Sequence, residues 1–199
     1  MSPVTALELQ SAVSKRRQAE VLDWMFWDSQ TIANGQTATE FRLFTTTSGK
    51  TTQQTNMRLP GSLPQPWVMD VERILFHVAL ASGATFIVPT TPADAQVVTR
   101  GMLTLTVSNK PMYEELLWRL PSGGGIFGNV ALEANAPANF GLGQNGYPMR
   151  QGQARFKNPI RINPVENFVV TLQYPTAPSP SVDTVVRVYL EGIVRRGIQ

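Results

Sequence analysis

Hydrophobic and polar residues alternate along several stretches of the chain, and this pattern predicts β-strands. The alternation is clearest near the C-terminus, in residues 166–174 (ENFVVTLQY) and 183–196 (DTVVRVYLEGIVRR). Between them, the proline-rich residues 175–181 predict an extended loop, because proline cannot donate a hydrogen bond to a strand ladder. Residues 97–107 alternate in the same way and predict a further strand.

Weaker strand patterns occur in residues 40–47 and 126–132, and residues 67–80 contain a stronger one whose phase changes. Successive side chains of a strand point to opposite faces, so both halves of this segment can share a buried face only if one residue is extra. We therefore predict a β-bulge near residues 72–73. The apolar residues are first at odd and then at even positions: Trp67, Met69, Val71, Ile74, Phe76, Val78 and Leu80.

Two segments have a helical pattern instead. Residues 5–27 contain no Gly or Pro and begin with the capping-box pattern TALE, so we predict an N-terminal helix. Residues 111–120 (PMYEELLWRL) begin with proline and place leucines on one stripe, which predicts a short inserted helix. We therefore divide the chain into an N-terminal helical arm, residues 1–35, and a single β-domain, residues 36–199.

The predicted elements indicate a mainly β protein with about eight strands. We expect an antiparallel β-sandwich, and a single jelly roll is the version that best accommodates long loops and an inserted helix. The longest loop, in the Gly- and Asn-rich residues 134–152, has a length typical of functional or disordered loops.

Composition restricts the chemistry of this domain. The 199 residues include no Cys and one His, His77, which excludes a disulfide, a thiolate zinc site and a pair of His ligands. The segment TTTSGKTT around Lys50 imitates a P-loop, but Phe44 occupies a position where that motif requires glycine. We therefore predict no catalytic residues, no cofactor, no metal and no enzymatic activity.

Asp70 and Glu72 lie two residues apart on a predicted strand, so their side chains share one face. Paired carboxylates carry out glycoside hydrolysis, although such pairs normally come from different strands facing a cleft. We interpret this pair as part of a polar outer face with Arg73 or Arg58 as the ion-pair partner.

The formal net charge is only +3, which by itself does not indicate nucleic-acid binding. Basic residues are nevertheless concentrated in the C-terminal half of the chain. Two interpretations remain open for them: solvated strand edges and loop ends, or a surface that faces a polyanion. The candidates for facing a polyanion are Arg150, Arg155, Lys157, Arg161, Arg195 and Arg196.

The predicted N-terminal helix ends in WMFW, residues 24–27, which is aromatic on every side. Either these rings close the end of the core, or they contact an adjacent subunit. Trp24, Phe26 and Trp27 are therefore candidate subunit-interface residues. The apolar residues 74–89 fall short of the roughly 18–20 residues that span a bilayer, so we expect no transmembrane segment.

Three stretches of the sequence resemble the coat proteins of tailless icosahedral bacterial viruses, which are built from vertical jelly rolls. The stretches are PGSLPQPWVMDVERILFHV, FKNPIRINPVENFVVTLQYP and DTVVRVYLEGIVRRGIQ, which together make up just over a quarter of the chain. It implies a single jelly-roll capsid subunit that self-assembles in the host cytoplasm into a virion, with copies of itself and other virion proteins as partners. A weak contact between the basic residues and packaged nucleic acid is a further implication.

Other functions remain open at this level. Trp67 and Tyr113 with Asp70 are the residues that a carbohydrate-binding β-sandwich would use, since sugar sites combine exposed aromatic rings with carboxylates. Another ligand-binding β-sandwich module, or a phage tail or baseplate component, would also fit the composition.

Overall fold

The computed structural model describes residues 19–80, 97, 100–120, 155–180 and 182–197. They contain eight β-strands and, after the fifth strand, a 3₁₀ helix (Leu117–Arg119). No helix in these ranges is long and apolar enough to cross a membrane. The strands are β1 (Ala19–Ile32), β2 (Glu40–Leu43), β3 (Val68–Leu80), β4 (Met102–Val107), β5 (Lys110–Leu116), β6 (Ile160–Ile162), β7 (Phe168–Gln173) and β8 (Thr184–Gly197).

The eight strands form two antiparallel sheets of four strands each. Sheet A has the order β1-β8-β3-β6, and sheet B has the order β2-β7-β4-β5. One hydrophobic core contains buried side chains of both sheets, so the fold is β-sandwich-like. Strands β4 and β5 are joined by Ser108 and Asn109, whose φ angles of 49° and 64° are those of a tight type I′ hairpin turn.

The strands predicted from the clearest alternation are confirmed as β7 and β8, and the segments around β2, β3 and β4 are strands as well. The predicted bulge in β3 is also confirmed. The register with β8 shifts between Val71 and Arg73, which leaves Glu72 as the extra residue. Apolar side chains on both sides of the shift are buried, as the change of phase required: Met69, Val71, Ile74, Phe76 and Val78.

The predicted N-terminal helix is wrong for residues 19–27, which belong to strand β1. This strand pairs with β8 along its whole length, from Ala19 opposite Gly197 to Ile32 opposite Thr184. Pairing with a long strand and burial against the core outweigh the helix propensity of the segment. Residues 5–18 lie outside the described ranges, and the division of the chain at residue 35 stays a prediction.

The predicted helix over residues 111–120 is wrong too. Residues 110–116 form β5, and only the last turn of the segment is helical, as the 3₁₀ helix. The hairpin turn returns the chain directly alongside β4, where strand pairing satisfies the backbone groups that a helix would otherwise satisfy. The predicted strand at residues 126–132 and the loop at residues 134–152 lie outside the described part of the chain.

Candidate functional site

Two of the predicted basic candidates meet at a carboxylate on the outer face of sheet A. Arg161 on β6 donates from Nε to Asp70 Oδ1 at 2.8 Å and from Nη2 to Oδ2 at 3.3 Å. Arg195 on β8 donates from Nη1 to Oδ2 of the same carboxylate. Asp70 lies on β3 between these two strands, so the sheet order itself brings the three side chains together.

Arg196 lies next to this group and has a carboxylate of its own. Its Nε donates to Glu20 Oε2 on β1 at 2.6 Å. Its guanidinium also lies 5.3 Å from the ring centre of Trp67, and the guanidinium of Arg58 lies 5.8 Å from the same ring. At these distances both cations are attracted to the electron-rich face of the indole.

The remaining basic candidates differ in their surroundings. Arg155 is paired with Glu72, at 2.5 Å between Nη1 and Oε2, so its charge is balanced locally. Lys157 is exposed two residues further along the chain. Arg150 lies outside the described residues. The structure therefore brings together three of the six basic candidates, Arg161, Arg195 and Arg196.

These three arginines line a surface pocket at the end of sheet A. Its volume is about 340 Å³, and the remaining lining residues are Pro66, Val68 and Gly197. Guanidinium groups around an open pocket can hold an anion through charge-assisted hydrogen bonds.

The ion pairs around Asp70 stabilise its charged form. Hydrogen bonding from Arg161, with a smaller contribution from Arg195, lowers the pKa of Asp70 although burial acts in the opposite direction. The same hydrogen bond raises the pKa of Arg161.

The sequence left two interpretations for the pair Asp70 and Glu72, and the ion pairs agree with the polar outer face. The predicted partners, Arg73 or Arg58, are wrong. Asp70 pairs with Arg161 and Arg195, and Glu72 pairs with Arg155.

This pKa shift predicts how the stability depends on pH. Because the pKa of Asp70 is lower in the folded state, its stabilising contribution is complete above the unfolded pKa of about 3.9 and is lost as the pH falls through the folded value. The advantage of the native protein over Asp70→Asn should therefore be constant between about pH 7 and pH 5 and should shrink below about pH 4. Urea denaturation of both proteins across this range measures it, and an advantage that grows in acid would contradict the assignment.

The three aromatic interface candidates separate into one core residue and two surface residues. Phe26 is buried and packs on Trp67, with 6.3 Å between the ring centres. Trp24 is 40% exposed, and Trp27 is half-buried. Both tryptophans line a shallow, mainly apolar pocket of about 330 Å³, together with Asp23, Met25 and Glu191. Of the three candidates, Trp24 and Trp27 are thus the two placed to contact another molecule.

A polar segment that the sequence did not single out covers part of the free edge of β1. The Trp27 backbone N–H donates to Asn56 Oδ1 at 2.9 Å, and the Asn56 side-chain amide donates to the Met25 carbonyl at 2.8 Å. The Ser29 hydroxyl donates to the Gln54 carbonyl at 2.8 Å. An edge strand exposes unpaired backbone groups that invite association, and Asn56 satisfies those of Met25 and Trp27.

The P-loop-like segment has a structural contact instead of an open phosphate cradle. Lys50 Nζ donates to both carboxylate oxygens of Asp28 on β1, at 2.7 and 2.8 Å, and to the Ser29 carbonyl at 2.9 Å. Asp28 is fully buried. The sequence did not predict that these two residues form an ion pair. Asp28 was only a charged residue inside an apolar segment, and Lys50 was only a charged residue inside a Thr-rich loop.

The residues considered for carbohydrate binding do not form one platform. Asp70 is engaged by two arginines on sheet A, whereas Tyr113 on sheet B packs against Phe156 at 4.8 Å between ring centres.

The half-buried His77 has a pKa lowered by burial and, to a smaller extent, by Arg187. Within the described ranges no group of three or more His, Cys, Asp or Glu side chains could hold a metal ion.

Comparisons with known proteins leave the family open. The chain matches no protein-family model, and no curated protein or solved structure is significantly similar to it.

Proposed function

We propose that this protein is a viral structural protein, a jelly-roll capsid subunit that assembles with copies of itself. The observation that carries the proposal is the pairing scheme of the strands. Each of the first four strands pairs with its counterpart counted from the other end of the chain: β1 with β8, β2 with β7, β3 with β6 and β4 with β5.

Such a scheme describes one long antiparallel ribbon that is folded over itself. The pairs of β8 with β3 and of β7 with β4 then join neighbouring turns of the ribbon into the two sheets. An eight-stranded jelly roll has this organisation, and it recurs in viral capsid, lectin and cupin domains. The strand order therefore supports the jelly roll that the sequence resemblance implied.

Two features favour a capsid role among the jelly-roll functions. The three stretches that resemble viral coat proteins include β6, β7, β8 and all but the last two residues of β3. Charged residues make up 16% of the chain, and large apolar side chains are exposed on both sheets and their loops, as suits a surface that packs against neighbours. The exposed side chains are Val21, Trp24, Leu59, Met112, Leu116, Trp118, Val165 and Val182.

In this proposal the protein resides in the virion, is assembled in the host cytoplasm, and contacts its own copies and other virion proteins. Its role is structural, not catalytic. The pocket lined by Trp24 and Trp27 is the contact that we assign to a neighbouring subunit, because tryptophan is one of the residue types enriched among those that dominate the binding energy of interfaces.

The proposal predicts that the purified protein forms large closed oligomers whose population grows with concentration. Replacing Trp24 with alanine should weaken this association about thirtyfold, since truncation of a central interface tryptophan typically costs about 2 kcal/mol. Multi-angle light scattering across a concentration series measures the mass of the particles, and electron microscopy shows whether they are closed.

Lys110→Ala provides the control. Lys110 is an exposed polar residue at the start of β5 on the other sheet, and it is not one of the exposed apolar side chains named above. We expect this variant to assemble like the native protein. A native protein that stays a monomer of 21.9 kDa at every concentration would contradict self-assembly, and equal effects of both variants would contradict the assigned interface.

A further inference from the structure

Two arginines share the carboxylate of Asp70, so this cluster has an excess of positive charge. The carboxylate has one negative charge, whereas Arg161 and Arg195 together have two positive charges. Among the described residues, every other ion pair joins one cation to one carboxylate. These pairs are Arg42 with Glu40, Lys50 with Asp28, Arg73 with Glu191, Arg119 with Glu115, Arg155 with Glu72 and Arg196 with Glu20.

The uncompensated charge faces the solvent. The side chains of Arg161 and Arg195 are 59% and 40% exposed, but that of Asp70 is only 11% exposed. The carboxylate thus lies beneath the two guanidinium groups and engages part of their N–H donors. Each guanidinium has five N–H donors in a planar fork, so both retain donors for a ligand that approaches from solution.

We propose that the pocket lined by Arg161, Arg195 and Arg196 binds a phosphate group. Its lining contains three arginines and no carboxylate residue, and its volume of about 340 Å³ accommodates one tetrahedral oxyanion with its attached group. The guanidinium fork matches phosphate oxygens in a bidentate geometry, which makes arginine the preferred residue for phosphate recognition.

The backbone around the pocket is suited to close approach. Pro66 and Gly197 form part of the wall, and a Cβ atom at Gly197 would lie 3.2 Å from Pro66 Cγ, so a larger residue would crowd this wall. Arg58, which lies over the same Trp67 ring as the lining residue Arg196, adds positive charge next to the pocket. The excess of positive charge, which Asp70 balances only in part, attracts an anion.

The inference does not depend on the proposed capsid role. A phosphate group could belong to a nucleic-acid strand, to a lipid headgroup or to a free metabolite, and the guanidinium chemistry is the same for each. If self-assembly fails while phosphate binds, the proposed function is wrong and the site stands. If the protein assembles but does not bind phosphate, the proposed function stands and the phosphate site is wrong.

The test is a titration of the folded protein with inorganic phosphate, followed by the NMR signals of the arginine Nε–H groups. We expect the signals of Arg161 and Arg195 to shift with a common saturation curve up to about 10 mM phosphate, and the shifts to weaken at high salt. Arg161→Gln should reduce the affinity about tenfold, because a bidentate charged contact is lost. Asp70→Asn should increase it about threefold or more, because the competing carboxylate charge is removed.

Arg155→Gln is the matched control, since Arg155 is exposed to a similar extent but is balanced by Glu72. It should leave the affinity unchanged. No shift at Arg161 and Arg195, or equal losses in the Arg155 and Arg161 variants, would overturn the proposal. Once phosphate binds, competition with a short single-stranded oligonucleotide and with phosphatidylglycerol vesicles shows which source of phosphate displaces it.

Discussion

Replacing Asp28 with asparagine should lower the free energy of unfolding by about 3–5 kcal/mol. Asp28 is fully buried and accepts hydrogen bonds from Lys50 Nζ at 2.7 and 2.8 Å and from the Phe44 backbone N–H at 2.6 Å. The substitution removes the negative charge and leaves the ammonium of Lys50, only 14% exposed, without a counter-charge. An uncompensated charge in such a place has a high desolvation cost. Denaturation in guanidinium chloride measures the loss.

The exposed pair of Glu40 with Arg42 is the control for this prediction. Glu40→Gln should change the stability by less than about 1 kcal/mol, because water screens an exposed pair. The double variant of Asp28→Asn with Lys50→Met should be more stable than Asp28→Asn alone, since the unbalanced cation is then absent. Similar losses for Asp28→Asn and Glu40→Gln would show that the buried pair does not hold the loop to β1.

The ion pair also shows why part of the structure could not be predicted from the sequence. Asp28 and Lys50 are 22 residues apart, and nothing in the spacing of a Thr-rich loop indicates a contact with a strand. The same holds for Arg195 and Asp70, which are 125 residues apart. The sequence identified the arginine as a basic candidate and Asp70 as an outer-face residue, but their contact depends on the strand order.

Strands were predictable where one face of the strand is buried and the other is in contact with solvent. In β8 the buried and half-buried residues alternate from Thr184 to Val194, so period-two patterning survives in the sequence. The bulge in β3 was predictable for the same reason, because a one-residue slip would otherwise turn the apolar set outward. The alternation of buried and exposed side chains along a strand can therefore be predicted without knowing which strands are neighbours.

Strand β1 lacks that contrast, and this explains the wrong helix prediction. Its core-facing positions include the charged Asp28 as well as Phe26, while its outer face has the apolar residues Met25 and Trp27. With apolar residues on both faces and a charge in the core, period-two alternation disappears. Strand β5 lies at the edge of sheet B with several exposed side chains, so its pattern is also weak.

Replacing Gly192 with alanine should lower the free energy of unfolding by about 3 kcal/mol. Gly192 on β8 faces the bulge of β3. A Cβ atom at this position would lie 2.0 Å from the backbone oxygen of Asp70 and 2.9 Å from the backbone nitrogen of Glu72. Both obstacles are backbone atoms of the central strand, so relief requires a distortion of the ladder between β3 and β8. The bulge therefore requires a glycine at the facing position on β8.

Gly35→Ala is the control that separates this clash from backbone strain. Gly35 has a φ of +74°, and a Cβ atom there would meet nothing within 4 Å, so alanine should cost only about 1–2 kcal/mol. Chemical denaturation compares the two variants, and the NMR signal of Arg161 reports whether Asp70 has moved. Equal losses at the two glycines would mean that β3 absorbs the extra methyl group. A larger loss at Gly192 with a displaced Arg161 signal would show that the bulge positions the carboxylate beneath the arginine pocket.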